Sequence, residues 1–252
     1  FTFNLSEKSS FYAHYDVLTQ RPGANESRFL PTDYLFLESN VGGYIRNSNL
    51  KPQKTIDYEV GFQQALNEKS AITISTYYRE MKDLIQLINV AYAYPSNYLT
   101  YGNIDRATVK GFSVKFDLRP IRSNLSLNAG YTLQFAEGTG SSSTSGFNLA
   151  SQGLPNLKVL VPLDFDQRHT FKGILNYRFL PGKKYIGPDW NGRGRKILGG
   201  FGVNFVGKLS SGRPYTGQEN FTQEGAVSSA ERTVLDGTIN GNTLPWIYTL
   251  DM

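Results

Sequence analysis

The sequence predicts an all-β fold, an antiparallel up-and-down β-barrel whose strands cross a membrane. Three observations support this prediction. Nine segments alternate apolar and polar residues with a period of two, which is the repeat of a β-strand with one apolar face and one polar face. Short and long connectors alternate between these segments. Aromatic residues make up 13% of the chain and gather near the segment ends, as the aromatic girdles of membrane barrels do.

The first five segments are residues 1–5, 11–19, 55–66, 71–78 and 104–118. The third is the clearest guide to the two faces of the sheet. Its apolar face, which we expect to contact lipid, carries Ile56, Tyr58, Val60 and Phe62. Its polar face, which we expect to point into the barrel, carries Asp57 and Glu59. In the fifth segment Ala107 and Val109 have the opposite parity to Phe112, so we predict a bulge near Lys110 and Gly111.

The other four segments are residues 125–135, 167–179, 197–209 and 244–252. Short connectors occupy residues 6–9, 67–70 and 119–124, and an intermediate one occupies 180–196. Long connectors occupy residues 20–54, 85–103, 137–166 and 210–243. Loops beyond about 15 residues are uncommon in compact soluble domains. Their recurrence at every second turn predicts an outer-membrane barrel with tight periplasmic turns and long outer loops.

Composition excludes several kinds of site. The chain has no cysteine, which excludes disulfides and thiolate metal sites, and its net charge of +5 is too dispersed for a nucleic-acid surface. His14 and His169 are the only histidines and lie far apart in the sequence, which argues against a histidine-based catalytic or metal site. No stretch approaches the roughly 18 apolar residues of a membrane-spanning helix. We therefore predict no catalytic residue, no metal and no cofactor.

Carboxylates on the polar faces could suggest a two-carboxylate mechanism, but side chains that face a solvated interior need no catalytic explanation. The glycines of residues 199–202 fall inside the eighth segment, where they would let a neighbouring group approach closely rather than hold a phosphate. The basic residues between Lys183 and Lys196 are interpreted as a solvated turn, with contact to lipid headgroups or a partner as the alternative.

One long connector is rich in aromatic side chains. Such loops carry ligand contacts when a rigid scaffold presents them. We interpret it as a candidate ligand-contact surface; packing within the loop or an interfacial girdle is the alternative. The residues concerned are Tyr92, Tyr94, Tyr98 and Tyr101.

Five segments, spread over most of the chain, resemble the β-barrel of TonB-dependent outer-membrane receptors. Residues 49–62 are similar to the family's N-x-L-K-P-E-x-T…Y-E-x-G segment, with Gln53 in place of the usual Glu. Residues 103–112 are similar to its N-x-x-x-A-x-x-x-G strand, and Ser113 stands where a lumen-facing Glu is common. Residues 166–170, 211–216 and 244–251 resemble three further segments. The set is most similar to receptors of Bacteroidetes, including the Oar-like ones.

The resemblance implies a barrel of about 22 strands in a Gram-negative outer membrane, closed around an N-terminal plug. TonB would pull on the plug, driven by the inner-membrane proton gradient, to admit a scarce or bulky ligand. Residues 1–252 are then part of one barrel domain, about strands 12 to 20, without the plug and the final strands. Glu59, Lys115 and Lys172 are candidates to face the plug. The implied partners are outer-membrane lipid, the plug, TonB and an unknown ligand, and not nucleic acid.

Three other functions stay open at this point. A passive porin or fatty-acid channel would lack an upstream plug. A soluble all-β binding module would be recovered in the aqueous fraction without detergent. A barrel for protein secretion or surface assembly would co-purify with a secretion partner or a surface lipoprotein. The ligand itself, whether siderophore, vitamin, glycan, peptide or protein, is not specified by the sequence.

Overall fold

The computed structural model describes residues 1–39, 44–94, 96–120, 124–156, 158–182, 185, 187–188, 198–218 and 235–252. The strands are β1 Thr2–Ser6, β2 Ser9–Gln20, β3 Tyr44–Ile45, β4 Gln53–Ala65, β5 Ser70–Val90, β6 Tyr98–Leu118, β7 Leu125–Gly138, β8 Val161–Pro162, β9 His169–Arg178, β10 Gly202–Ser210, β11 Pro214–Tyr215, β12 Gly217–Gln218, β13 Leu235–Asp236, β14 Asn242–Thr243 and β15 Ile247–Asp251. The helices are α1 Ala24–Ser27, α2 Pro31–Ser39 and α3 Phe147–Ser151. No helix in these ranges is long and apolar enough to cross a membrane.

Nine strands form the main path of a single sheet in the order of the chain, β1-β2-β4-β5-β6-β7-β9-β10-β15, and every neighbouring pair on this path is antiparallel. This arrangement confirms the nine predicted segments and their up-and-down order. β3 adds a short parallel pair to β6, and β8 pairs with the last residues of β7. Within the described residues the path begins at β1 and ends at β15, which do not pair with each other.

The two faces of the sheet differ as the alternation predicts. On one face Tyr58 of β4 lies opposite Tyr15 of β2 and Tyr78 of β5. Tyr58 and Val60 remain 45% and 42% exposed although both are apolar, which is the arrangement that lipid contact requires. Glu59 lies between them in sequence and therefore points to the other face.

The β5–β6 hairpin is longer than predicted. Both strands have 21 residues, and their pairing continues from Ser70–Leu118 out to Val90–Tyr98. The predicted long loop at residues 85–103 is therefore wrong, because most of it is strand. Residues 84–88 do not alternate because both faces of the strand are covered there, and Ile85, Gln86 and Leu87 are all buried.

The predicted bulge near Lys110 and Gly111 is also wrong. The β6–β7 ladder runs without a break from Ala107 to Leu118. The β5–β6 ladder is irregular further out, at two adjacent points. β5 has the extra residue at the first point, near Asp83, whose φ of 55° is in the left-handed region, and β6 has it at the second, where Ile104 lies between the partners of Leu84 and Ile85. The change of parity in β6 therefore needs a different explanation.

That explanation is a folded connector on the polar face. Ala107 and Val109 stay on that face and pack with Ala136 and Leu163 in a buried cluster. Leu163 belongs to the connector between β7 and β9, so an apolar patch on the polar face holds this connector against the sheet. Ala107 and Val109 are apolar although they lie on the polar face, because the connector rather than water covers them.

The last two predicted segments begin later than expected. β10 begins at Gly202 rather than at residue 197, which is outside the described part of the chain. Gly199 and Gly200 form a turn instead of strand, and Gly200 has a φ of 89°. β15 begins at Ile247 rather than at residue 244. Lys183 and Lys196, which bound the predicted basic turn, also lie outside the described residues.

Candidate functional site

On the polar face of the sheet, a tyrosine of β2 lies against a glycine of the neighbouring strand β4. Tyr12 of β2 pairs with Gly61 of β4, and its ring occupies the space that a Cβ on Gly61 would need. The Tyr12 hydroxyl donates a hydrogen bond of 2.9 Å to Glu59 Oε1. The glycine of the Y-E-x-G motif therefore makes room for the ring, and its glutamate accepts from the hydroxyl.

The same arrangement recurs two strands further on. Tyr77 of β5 pairs with Gly111 of β6, and its ring again fills the place of a Cβ. Its hydroxyl donates to Gln134 Oε1 of β7 at 3.1 Å, so one side chain bridges three strands. Gly111 is the glycine of the second motif, and a ring over a strand glycine restores packing that glycine alone cannot provide.

Charged and hydroxyl groups pair between the two tyrosines. Arg79 of β5 donates to Asp57 Oδ2 of β4 from Nη2 at 2.6 Å and from Nε at 3.2 Å. Ser75 and Ser113 share a buried hydrogen bond of 2.8 Å. Ser113, where the resemblance to the family implies a lumen-facing glutamate, is here one partner of this hydroxyl pair.

A row of lysines follows on the next strands. Lys115 of β6 is paired with Gly130 of β7, Gly130 with Lys172 of β9, and Lys172 with Lys208 of β10. All three lysines are exposed, and none has an ion-pair partner among the described residues. Alternation places Lys208 on the polar face, but it was not among the predicted candidates to face the plug, because only the strand register places it beside the other two.

Two of the predicted motif segments meet at Asn103. Its Oδ1 accepts from the Lys51 backbone N–H at 2.8 Å, and its Nδ2 donates to the Lys51 carbonyl at 3.0 Å and to the Asp83 carbonyl at 2.7 Å. One side chain therefore fixes the entry to β4 and the irregular point of β5. In the sequence this asparagine is recognisable only as a motif position, because its partners belong to two distant segments.

Two further motif segments meet where β9 begins and β10 ends. The His169 backbone N–H donates to Ser211 Oγ at 3.0 Å, and the Ser211 backbone N–H donates to the His169 carbonyl at 2.8 Å. Asp166 is 4% exposed; it accepts from the Ala136 backbone N–H at 3.1 Å and from Arg168 at 3.2 Å. These contacts fix the ends of three strands at the same rim.

Beyond this rim a buried glutamine clamps the connector after β7. Gln86 Nε2 lies 2.9 Å from Asp105 Oδ2, 2.8 Å from Ser145 Oγ and 3.1 Å from the Ser142 carbonyl. Gln86 Oε1 accepts from the Gly146 backbone N–H at 3.1 Å. The amide thus holds both a β6 carboxylate and the turn that leads into α3.

The four predicted ligand-contact tyrosines are not equivalent. Tyr92 and Tyr94 are fully exposed at the tip of the hairpin, and Tyr98 is half-buried at the start of β6. Tyr101 is 4% exposed and packs edge-on against Tyr44, with 5.4 Å between ring centroids. Burial, followed by the nearby Tyr44 hydroxyl, raises the pKa of Tyr101 to about 12. Ligand contact stays a prediction for this set.

A cavity of about 160 Å³ lies beside the Gln86 clamp and is lined in part by Asp105, Thr139, Leu149 and Asn240. It is smaller than typical ligand pockets of about 300–1,000 Å³. Asn240 lies in the connector between β10 and β15. It donates to Asp164 Oδ1 at 2.7 Å and so joins this connector to the one between β7 and β9. Nowhere in the described ranges do three or more His, Cys, Asp or Glu side chains gather so that they could hold a metal ion.

Comparison with known proteins agrees with this architecture. Residues 1–251 match the family model described as TonB dependent receptor-like, beta-barrel. No curated protein sequence matches the chain. The match covers almost the whole sequence.

Solved structures share the fold at low sequence identity. The siderophore receptor PirA from Acinetobacter baumannii has a TM-score of 0.57 and 14% identity, over 99% of this chain and 32% of that one. The outer membrane transporter YddB from Escherichia coli has a TM-score of 0.53 and 13% identity, over 99% and 33%. Pseudomonas aeruginosa FpvA bound to a heterologous pyoverdine has a TM-score of 0.54 and 11% identity, over 99% and 25%.

The chain thus spans about a quarter to a third of the length of these structures. Members of the family are outer-membrane proteins that cross the membrane through their strands. The sheet described above, with an apolar exposed face and a polar charged face, is the wall of such a barrel. The chain belongs to the TonB-dependent receptor β-barrel family.

Proposed function

We propose that this chain forms part of the barrel wall of a receptor that takes up a scarce or bulky ligand. Outer loops capture the ligand, and TonB, driven by the inner-membrane proton gradient, moves a plug to admit it. Residues 1–252 then belong to one barrel domain, and the plug lies outside them. Transport, rather than catalysis, is the activity that this wall serves.

The observation that carries the proposal is the unpaired charge on the polar face. Lys115, Lys172 and Lys208 lie in one row and have no ion-pair partner in the described part of the chain. A polar domain inside the barrel would supply partners for them, whereas an open pore would leave them in water. With Glu59, these lysines are our candidates to face the plug.

Ligand capture is proposed for the tip of the β5–β6 hairpin. Tyr92 and Tyr94 present full ring surfaces on a scaffold that the Gln86 clamp and the long ladder hold in place. Similar structures include a siderophore receptor and a receptor bound to a pyoverdine, so iron–siderophore complexes are the first ligand class to test.

Single-channel recording of the full-length protein in a planar lipid bilayer tests the plug. A plugged receptor gives no steady current at rest and opens when urea unfolds the plug while the barrel stays intact. A steady ohmic current in untreated protein would favour the passive porin and contradict the proposal. Binding of the periplasmic domain of TonB to the full-length protein tests the energy coupling, and failure to bind in the presence of ligand would exclude it.

A further inference from the structure

The outer connectors of this sheet are joined to one another by side-chain amides. Four outer segments follow one another in the chain: the connector between β2 and β4, the outer part of the β5–β6 hairpin, the connector between β7 and β9, and the connector between β10 and β15. Each of the last three is hydrogen-bonded to the segment before it through at least one asparagine or glutamine. The amides are those of Asn47, Gln86, Asn103, Asn156 and Asn240.

The β2–β4 connector is bound along the outer part of β6. Asn47 Nδ2 donates to the Tyr101 carbonyl at 2.8 Å. Thr100 Oγ1 donates to the Ile45 carbonyl at 2.9 Å. Together with the parallel pairing of β3 and β6 and the contacts of Asn103, these bonds fix this connector to the hairpin.

The hairpin is bound in turn to the β7–β9 connector. Beside the contacts of the Gln86 side chain, the backbone of the next residue makes two bonds to this connector. The Leu87 N–H donates to the Ser143 carbonyl at 2.8 Å, and the Leu87 carbonyl accepts from Asn156 Nδ2 at 2.9 Å. Gln86 and Leu87 are 2% and 0% exposed, so water does not compete for these bonds.

The β7–β9 connector is bound to the β10–β15 connector through Asn240. Its Nδ2 donates to the Pro162 carbonyl at 2.8 Å and to Asp164 Oδ1 at 2.7 Å. Its backbone N–H donates to Thr216 Oγ1 of its own connector at 3.0 Å. Asn240 has a φ of 55°, a conformation that asparagine and aspartate adopt more readily than most residues. Its side chain and its backbone therefore both suit this junction.

The hairpin and the two connectors after it meet at one small cavity. Its volume is about 160 Å³, and its lining includes Gln86 of the hairpin, Asn156 of the β7–β9 connector and Asn240 of the β10–β15 connector. None of the ion pairs in the described part of the chain joins two of these segments. The bonds between them are donated by neutral groups, and salt should therefore screen them little.

We propose that Gln86, Asn156 and Asn240 are positioning residues for ligand capture, because they link the hairpin and the two connectors after it into one unit that opens together. Proteins open locally in cooperative units, and segments joined by buried bonds share the free energy of opening. Coupling between two sites is reciprocal. A ligand that orders the tip at Tyr92 therefore also orders the β10–β15 connector, whether or not it contacts that connector. This last step rests on the proposed function, whereas the linkage itself does not.

Hydrogen exchange of the full-length protein in detergent, measured by mass spectrometry, tests the linkage. In N240D the aspartate keeps the backbone conformation, but its carboxylate loses both donations and repels Asp164. The matched control is N242D, which makes the same charge change in β14, where Asn242 pairs with Tyr215 of its own connector. We expect exchange at residues 86–88 and 146–154 to become at least about tenfold faster in N240D and to stay unchanged in N242D.

Residues 86–88 and 146–154 decide the outcome because Asn240 makes no hydrogen bond to them. Faster exchange confined to residues 161–166 and 235–243, which contain Asn240 and two of its partners, would show a local contact and overturn the proposal. An equal increase in N242D would do the same. N240G is a second variant that permits the same φ and removes only the donations, and we expect the same pattern from it. Heat-modifiable migration on gels reports the folding of each variant.

The linkage should also act in the reverse direction. Q86A should speed exchange at residues 235–243, to which the Gln86 amide makes no hydrogen bond. In the N240D background the same substitution should add nothing there, because the link is already broken. No effect of Q86A at these residues, or an equal effect in both backgrounds, would indicate separate contacts and contradict the proposal.

Spin labels at Y92C and T238C report whether the tip is held at a fixed distance from the β10–β15 connector. Double electron–electron resonance should give one narrow distance distribution in the wild-type background and in N242D, and a broader one in N240D. Equal widths in N240D and N242D would contradict the positioning role. Because neither measurement needs a ligand, plug movement or TonB, a negative result here leaves the proposed function standing, and failure of TonB binding leaves the linkage standing.

Discussion

The ring of Tyr12 lies in the space that a side chain on Gly61 would need, and its hydroxyl reaches Glu59 on the same neighbouring strand. Gly61→Ala should therefore displace the ring and break that hydrogen bond. We expect the variant to be less stable by about 1–3 kcal/mol, the usual cost of overpacking. Urea unfolding of the full-length protein in detergent measures the change.

Gly173→Ala is the matched control for this prediction. Gly173 lies in β9 of the same sheet, and nothing lies within 4 Å of a Cβ placed there. Alanine should be neutral or slightly stabilising, since it also restricts the unfolded chain. Equal losses at Gly61 and Gly173 would show that glycine flexibility, rather than the Tyr12 contact, matters at the motif position.

The Gln86 clamp predicts a local effect on the connector after β7. Gln86→Ala removes the hydrogen bonds to Asp105, Ser145 and the Gly146 backbone. We expect proteolysis within residues 139–156 to become at least about tenfold faster while the strands stay resistant, because exposed segments open locally. Limited proteolysis with mass spectrometry locates the cuts, and an unchanged cleavage rate would contradict the clamp.

The buried Tyr101 predicts a loss of stability at high pH. Its folded pKa of about 12 exceeds the unfolded value of about 10. The stabilisation is therefore fully present below pH 10 and is lost as the pH rises towards 12, because the unfolded chain releases the proton first. Phenylalanine cannot ionise. The free energy of unfolding of Tyr101→Phe should therefore fall by about 2–3 kcal/mol less than that of the wild type over this pH range. Equal alkaline profiles for variant and wild type would contradict the prediction.

The lysine row predicts how firmly the plug is held. Reversing two charges in K115E/K172E should lower the urea concentration at which the channel opens, because each solvated polar contact with the plug contributes about 0.2–1 kcal/mol. Lys69→Glu, in a turn away from the row, is the control and should leave the opening point unchanged. Planar-bilayer recording provides the readout, and an unchanged opening point in the double variant would remove these lysines from the plug interface.

Alternation was sufficient to predict the strands and their faces. Tyr58 and Glu59 were placed on opposite faces from parity alone, and the structure keeps them there because one face of β4 is apolar and the other polar. Alternation fails where both faces are covered. Ile85, Gln86 and Leu87 are all buried, so the outer part of the β5–β6 hairpin has no period of two, and alternation therefore predicts a loop there.

Contacts between distant segments were less predictable. Ala107 is an apolar residue on the polar face of the sheet because Leu163, far along the chain, covers it. The roles of Asn103 and Lys208 depend on strand register and on backbone groups of other segments, which composition and periodicity do not specify. Motif matching pointed to Gly61 and Gly111, but only the neighbouring tyrosine rings explain why glycine is needed there.

The central claim is that the polar face of this sheet is the inside of the protein and that the apolar face meets lipid. Spin labels at single cysteines introduced along β5 of the full-length protein test it most directly. Labels at Ile72, Ile74 and Thr76 should collide with oxygen dissolved in lipid, whereas labels at Thr73 and Ser75 should not. A uniform pattern, or preferential oxygen contact at Thr73 and Ser75, would contradict the account.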